Sequence, residues 1–332
     1  MQAFAVVAVA KEQVELHEVS IPEPGPEDLV VRVTHSWISS GTEGSFIRAE
    51  RLNGETPLKE GDPSPFPHVP GYQKVGVVEW VGSAVEGFKI GDRVFASVSG
   101  VKDMVSSTGG HISPAVTHKS QVWHLPDNID PVAFSGLVLT QVGYNCGMRP
   151  SLQAGDAAVV LGDGLVGQWA AQTLQDRGAR VMLLGRHDNR LALFETKEGD
   201  LRVNSRNQDA QAVAREWASE GVQVFVDTVG SVNEINAWMS LMRHDGHLVS
   251  AGFNGPHGLI DIQKLRFGEL SLHAPSGWTR PRMNATLDLI AQGRLQTLPL
   301  ISHRFPIKQA QQAYELVLHK RSSIMGVVLE WE

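Results

Sequence analysis

The sequence predicts an α/β protein in which a doubly wound parallel sheet is joined to a β-rich, barrel-like domain, and three observations carry that expectation. An apolar run, Ala157-Ala158-Val159-Val160-Leu161, leads directly into Gly162-x-Gly164-x-x-Gly167 and a helix-like stretch that stops at Gly178. From about Asp130 onward, apolar strands and amphipathic segments alternate, as in a sheet covered by helices on both faces. Before that point the text is short alternating strands punctuated by Gly and Pro.

Taken in order, strands are expected over 3–9, 14–19 and 29–33, with Pro22-Glu23-Pro24-Gly25-Pro26 breaking the run. Residues 37–48 are small, polar and glycine-bearing, so a loop should lead into a short helical turn near 45–50. Pro57, Pro63, Pro65, Pro67 and Pro70 make 53–70 an extended excursion that cannot enter a sheet interior. Residues 71–94 alternate apolar and polar positions between glycine turns, the pattern of an antiparallel wall. A helix is expected over 131–148. After the glycine-rich turn come a strand at 180–184, helices at 188–195 and 208–219, a strand at 222–226, a helix at 232–242 and a strand at 247–251. The tail reads as a strand at 270–274, a loop at 276–281, helices at 282–292 and 307–318, and a last strand at 323–329.

At 332 residues, 42% hydrophobic and 20% charged, the chain can build two domains with their own cores. A formal net charge of −7 and the lack of a Lys/Arg-rich run argue against nucleic acid or an anionic membrane as partner, which leaves a small molecule. The apolar start has no basic flank for a signal peptide, and no run is long enough for a membrane span. One cysteine, Cys146, excludes a disulfide framework and a thiolate zinc cluster within one chain. A cytoplasmic location is expected.

The chemistry starts at the glycines. Gly162 permits the tight turn out of the strand, Gly164 lets backbone approach a pyrophosphate, and Gly167 lets the helix opened by Leu165 and Val166 lie close on the sheet. The helix N-terminus offers unpaired N–H groups and a positive dipole end to an anion. A dinucleotide is therefore expected there. An acid closing the second strand would hold a ribose 2′-hydroxyl, but Gly185 stands at that point, followed by Arg186, His187 and Arg190. Those cations suit a 2′-phosphate, so NADP(H) is preferred, with NAD(H) still admissible through Asp188. Thr228, and the strand end Ser250-Ala251-Gly252-Phe253, are further cofactor-binding candidates, as is Thr140 ahead of the glycine-rich strand.

With VPGYQKVGVVEWVG, GFKIGDRVFA, VVLGDGLVG, ATLDLIAQGRL and SHRFPIKQAQQAYELV in hand, nearly the whole chain resembles the medium-chain dehydrogenase/reductase superfamily. The resemblance implies a Rossmann dinucleotide-binding domain over 139–276 and a GroES-like catalytic domain from 1–138 and 277–332. Zinc-dependent members take their first ligand from Cys-x-Thr/Ser-Asp and the second from Gly-His-Glu. The matching positions here are Ser40-Gly41-Thr42-Glu43 and Gly71-Tyr72-Gln73, which lack the thiolate and imidazole that zinc prefers. No metal is expected.

A carbonyl under reduction still needs a proton donor. Tyr72 is the expected acid, with Thr42 and Ser40 as orienters. Glu43 is expected to pair with Arg48 or hydrogen-bond the loop, and it joins Trp37, Phe46, His68 and Trp278 as a candidate pocket residue. The loop also resembles that of the bacteriochlorophyllide dehydrogenase-like branch, where SGTE replaces the cysteine loop; the substrate does not follow from so short a match.

The expectation is a zinc-independent oxidoreductase moving a hydride between NADP(H) and an alcohol/carbonyl pair of the secondary alcohol, polyol or sugar type. Two rivals stand beside it. One is an NADPH-dependent quinone or enone reductase, whose relatives carry Asn-Pro where this chain has Ser39-Ser40. The other is a non-catalytic NADPH-binding sensor. The apolar strand at 270–274 suggests a homodimer paired edge to edge.

Overall fold

The structure, a computed structural model, describes residues 1–54, 56–252, 259–319 and 324–331. Phe253 and Ser323 lie outside the described residues. The chain forms two compact units, Met1–Val138 with Ile301–Glu332, and Leu139–Leu300.

The first unit is strand-rich. Its elements are β1 (Gln2–Ala10), β2 (Gln13–Ser20), β3 (Asp28–Ile38), α1 (Thr42–Ile47), β4 (Lys74–Val81), β5 (Arg93–Ala96), β6 (Ala115–His118) and β7 (Val122–His124). β1 pairs with β2 and with the short strand Ile112–Ser113 in one antiparallel sheet. The larger sheet centres on β3, whose register with β4 and β6 is antiparallel. Alternation explains the core: Val31 and Val33 of β3, Val78 of β4 and Ala5 and Val7 of β1 are buried together, while Arg32 of β3 faces water and pairs with Glu79 at 2.9 Å. The strand β3 runs five residues past the expected end at 33. Trp37, expected in a loop, therefore lies within the sheet with no exposed surface.

The chain enters the second unit within α2 (Leu137–Met148). The expected helix over 131–148 is broken at its start: Asp130 Oδ1 accepts from Val132 N at 3.0 Å and caps a 3-10 turn, Pro131–Phe134, before α2 begins. Next come β8 (Ala157–Leu161), α3 (Leu165–Asp176), β9 (Arg180–Gly185), α4 (Asp188–Leu191), β10 (Leu201–Asn204), α5 (Ala210–Trp217), β11 (Val222–Asp227), α6 (Val232–Trp238), β12 (Met242–Ser250), α7 (Ile262–Phe267), β13 (Ser271–His273) and α8 (Arg280–Ala291). The strands form a parallel six-stranded sheet in the order β10-β9-β8-β11-β12-β13.

Parallel strands buried on both faces need apolar residues at every position, and β8 supplies them. Ala158 and Val160 pack with Ala170 and Leu174 of α3, and Ala157 and Val159 pack with Phe225 and Trp238 on the opposite face. Phe225 and Trp238 stack with ring centroids 5.1 Å apart. Each fully buried Val, Leu or Phe among them contributes about 1.5–3 kcal/mol of hydrophobic stabilisation.

Several boundaries differ from expectation. α4 ends at Leu191 rather than 195, because Leu193 and Phe194 turn tightly onto Arg190 O and Leu191 O and drop the Phe194 ring into the core. β10 was not expected: four residues with Arg202 exposed and Val203 buried are too short to stand out. α7 was not expected either, and β12 starts at Met242, ahead of the expected 247. The second unit also continues to Leu300, past the expected limit at 276. Trp169 Nε1 donates to Gln296 O at 3.0 Å and Arg294 pairs with Asp176 at 2.6 Å, so this segment is tied to α3.

The chain then returns to the first unit as β14 (Ile301–Pro306), α9 (Ala310–Leu318) and β15 (Gly326–Glu330). β15 adds antiparallel to β3 and carries β14 at the edge. Among the described residues no helix is long and apolar enough to cross a membrane.

Candidate functional site

In the second unit the glycine-rich turn has the shape its residues predict. Gly162 has φ of +122°, and a Cβ there would lie 2.1 Å from Thr228 Oγ1. A Cβ on Gly167 would lie 1.8 Å from Gly162 O, so helix and turn can close only on glycine. Gly164 is the N-cap of α3 and has no side-chain cap, so among the described residues no side chain takes up the first-turn N–H groups of Leu165 and Val166. A Cβ on Gly164 would meet no described atom within 4 Å, so the turn leaves open space at that glycine.

A cavity of about 540 Å³ opens at the ends of β8 and β9, lined among others by Gly162, Asp163, Gly185, Arg186, His187 and Glu234. The Arg186 guanidinium is exposed and makes no ion pair among the described residues. Arg190 and His187 are partly buried beside it and both approach Asp163, at 3.5 Å and 3.0 Å. Asp188 Oδ1 accepts from Asn204 Nδ2 at 2.7 Å, and the side chain is otherwise exposed. Thr228 donates its hydroxyl to Leu161 O at 2.8 Å. Ala251 and Gly252 donate their N–H groups to Asp227 O at 2.8 Å and 3.1 Å. The Asp227 carboxylate, fully buried, accepts from the N–H groups of Val229, Gly230 and Ser231 and is a turn anchor. Thr140 is buried on α2, and Trp278 lies half-buried ahead of α8. The cradle fits a dinucleotide: open helix N-terminus, glycine turn and cationic rim occupy one strand-end cavity.

In the first unit the expected loop over 37–48 is strand to Ile38 and helix from Thr42, with only a short turn between. Thr42 and Glu43 stand in the first turn of α1, not ahead of a turn at 45–50. The Tyr72 hydroxyl donates to Ser39 Oγ at 2.6 Å, one position upstream of the expected Ser40. Burial pushes the Tyr72 phenol up to about 12, while hydrogen bonds with Ser39 and Thr42 act against that rise.

Glu43 is the hub beneath this group. It is buried and accepts from Ser39 N at 2.7 Å, from His111 Nε2 at 3.0 Å and from the Tyr314 hydroxyl. His111 Nδ1 meets Ser36 Oγ at 2.8 Å, and Trp331 Nε1 donates to the same Ser36 oxygen at 2.9 Å. Ser36, His111 and Glu43 have the connectivity of a hydrolytic triad, but burial of all three denies a substrate access. Glu43 thus hydrogen-bonds the loop, and Arg48 pairs with Glu50 at 2.6 Å instead.

The remaining pocket candidates divide. Phe46 and His68 meet edge to face at 6.3 Å, and Phe66 stacks on His68 at 5.6 Å. His68 Nδ1 donates to Pro65 O at 2.9 Å, and burial lowers the imidazole's pKa. Trp37 is a core residue packed on Gly136, where an added Cβ would lie 2.9 Å from the indole; it presents no surface to a ligand.

The donor set around Tyr72 does not match zinc. Ser40 and Tyr72 hold the positions of the thiolate and imidazole, and both nitrogens of His111 are already hydrogen-bonded. Among the described residues, one cluster has metal-ligand spacing, His244, Asp245 and Glu269, and it is exposed in the second unit.

Sequence reasoning missed Asp163, Ser39, His111 and Tyr314. Asp163 carried a signal, an acid inside the G-x-G turn with glycine at the acid's usual place. His111 and Tyr314 lie 68 and 271 residues from Glu43, beyond any local pattern.

Two family models match the chain: the alcohol dehydrogenase GroES-like domain over residues 25–127 and the zinc-binding dehydrogenase over 166–292. The chain is 27% identical to the L-threonine 3-dehydrogenase of Deinococcus deserti, with 95% of each protein covered. It is 24% identical to an alcohol dehydrogenase of Cupriavidus necator, with 98% of each covered. Among solved structures, an oxidoreductase/dehydrogenase of unknown specificity from Escherichia coli matches with a TM-score of 0.87 at 20% identity, over 100% of both chains. A Sinorhizobium meliloti protein described as a zinc-binding dehydrogenase and bound to NADP matches with a TM-score of 0.82 at 20% identity, over 99% of both. With a strand-rich GroES-like unit and a Rossmann unit in this order, the chain belongs to the medium-chain dehydrogenase/reductase superfamily and is an oxidoreductase of that type.

Proposed function

We propose that the protein is a zinc-independent, NADP(H)-preferring oxidoreductase acting on an alcohol/carbonyl pair of the secondary alcohol, polyol or sugar type. The observation that carries this is the Tyr72 phenol, protonated through neutral pH and hydrogen-bonded to Ser39, at the position where zinc-dependent members place a histidine. Relatives named as alcohol and L-threonine 3-dehydrogenases support alcohol oxidation as the reaction class.

The bound nicotinamide would supply or accept the hydride. Tyr72 gives its proton to the carbonyl oxygen as that oxygen gains charge, which completes the alcohol. Ser39 and Thr42 then stabilise the phenolate with their hydroxyls until a solvent proton restores it. Glu43 holds this group by fixing the Ser39 backbone. At the nucleotide, Gly162, Gly164, Leu165, Val166 and Gly167 accommodate the pyrophosphate, and Arg186, His187 and Arg190 meet the 2′-phosphate. Arg186 supports the preference for NADP(H) because it has no carboxylate to give up.

The exposed side chains of Leu272 on the edge strand β13 and of Ile262 and Phe267 on α7 support a homodimer formed at that edge. A cytoplasmic, reducing setting suits a chain whose one cysteine is free and buried.

The test compares wild type with Tyr72→Phe and Thr42→Val on a panel of ketones, enones and quinones, with both nicotinamides and with a chelator present. Carbonyl reduction should fall about 10²-fold or more in Tyr72→Phe. Full activity in both variants, or turnover confined to enones and quinones, would overturn the proposal.

A further inference from the structure

We propose that Asp163 is the acid that reads the ribose 2′ position, delivered from the glycine-rich turn instead of the strand end, and that it keeps the unphosphorylated coenzyme usable. This rests on the proposed seating of a nicotinamide nucleotide at the glycine turn.

Space is the first argument. A Cβ on Gly185 would lie 2.4 Å from Asp163 Oδ2, 2.5 Å from its Cβ and 2.7 Å from its Cγ. The Asp163 carboxylate therefore fills the volume where a side chain closing β9 would start, and an acid can come from 163 or from 185 but not from both. Gly185 is read from the sequence as the loss of the ribose acid. In three dimensions the acid has moved.

The second argument is how the two oxygens are used. Oδ2 accepts from Arg186 N at 2.7 Å, from His187 N at 2.9 Å and from His187 Nδ1 at 3.0 Å. Among the described residues Oδ1 is approached only at long range, by His187 Nδ1 at 3.3 Å and Arg190 Nη1 at 3.5 Å. The one Nδ1 proton is nearer Oδ2 and the Arg190 contact is at the limit of a hydrogen bond, so Oδ1 retains capacity for a hydroxyl donor. Asp163 also lines the cavity beside Gly185, Arg186 and His187. One oxygen is an anchor and the other is an open acceptor.

Charge gives the third. A carboxylate at the ribose welcomes a 2′-hydroxyl and repels a 2′-phosphate, and the arginines do the reverse. With both present, Asp163 sets how far the balance moves toward the phosphorylated coenzyme. It is a specificity-determining residue.

The experiment measures dissociation constants of NADPH and NADH by calorimetry at fixed ionic strength, for the full-length wild type and Asp163→Asn. Asn keeps the volume and one oxygen for the two backbone N–H groups. NADH should weaken about 10-fold or more, the worth of a hydrogen bond to a charged group, while NADPH holds or tightens. A parallel loss of both would make Asp163 only a cap for the end of β9, and a selective loss of NADPH would make it only a brace for His187 and Arg190; either overturns the proposal. On wild type alone, 2′-deoxy-NADH should bind about 10-fold more weakly than NADH, and equal binding refutes the role without any variant. Failure of wild type to bind either coenzyme would instead sink the nucleotide site itself.

Discussion

Lys74 opens β4 two residues after Tyr72, and its ammonium is fully buried with one hydrogen bond among the described residues, from Nζ to Ser97 O at 2.5 Å. Burial pulls its pKa from 10.5 down to about 7. The folded state thus holds this proton more weakly than the unfolded chain, so the stability linked to Lys74 is complete above the unfolded value and is lost as pH falls toward 7. At ~1.4 kcal/mol per pH unit, the full loss is roughly 5 kcal/mol, of which about 2 kcal/mol falls between pH 9 and pH 7. Lys74→Met keeps the unbranched chain, removes the titration and leaves the Ser97 carbonyl without this donor, a cost of about 1–3 kcal/mol that does not vary with pH. Urea unfolding of wild type and variant, followed at pH 7, 8 and 9, isolates the effect. The variant should gain about 2 kcal/mol on wild type as pH falls across that range. Two stabilities that run parallel with pH would show that burial does not perturb this lysine and would refute the reasoning.

Other perturbations test the remaining parts. Glu43→Gln turns an amide toward His111 and Tyr314, both donors to the native carboxylate, and should cost about 3 kcal/mol in denaturant unfolding; an unchanged midpoint would remove Glu43 as the hub. In alkaline titrations followed by phenolate absorbance, Tyr72→Phe and wild type should coincide through pH ~10, where an ordinary phenol ionises. A wild-type excess there would contradict a Tyr72 held up near 12. Leu272→Asp, on the edge strand, should give a monomer in sedimentation; an unchanged assembly would place the contact elsewhere or show none.

Much of this architecture is legible in the residues because its signals are local. The apolar run 157–161 with its glycines fixes β8, the turn and α3, since the tightest approach, Gly167 on Gly162 O, lies within the same short stretch. The end of β9 is legible only in part: Arg186, His187 and Arg190 announce a cationic rim, yet the acid that reaches them comes from 163 on another strand-end turn. The first unit shows the same limit. Tyr72 and Thr42 can be matched by motif, whereas Ser39, which the motif does not single out, meets the phenol. The Glu43 network draws His111 and Tyr314 from distant strand-end and helix positions, so only tertiary folding reveals it. Short edge strands such as β10 and β14 escape because four to six residues of mixed polarity look like loop until a neighbour supplies the ladder.

The most direct test of the central claim is a single turnover assay of carbonyl reduction by NADPH, run on chelator-treated protein whose zinc content is measured in the same sample. Hydroxyl-based proton donation predicts undiminished turnover with zinc far below one ion per chain. Zinc bound at one ion per chain, with turnover lost on its removal and restored on its return, would contradict the account.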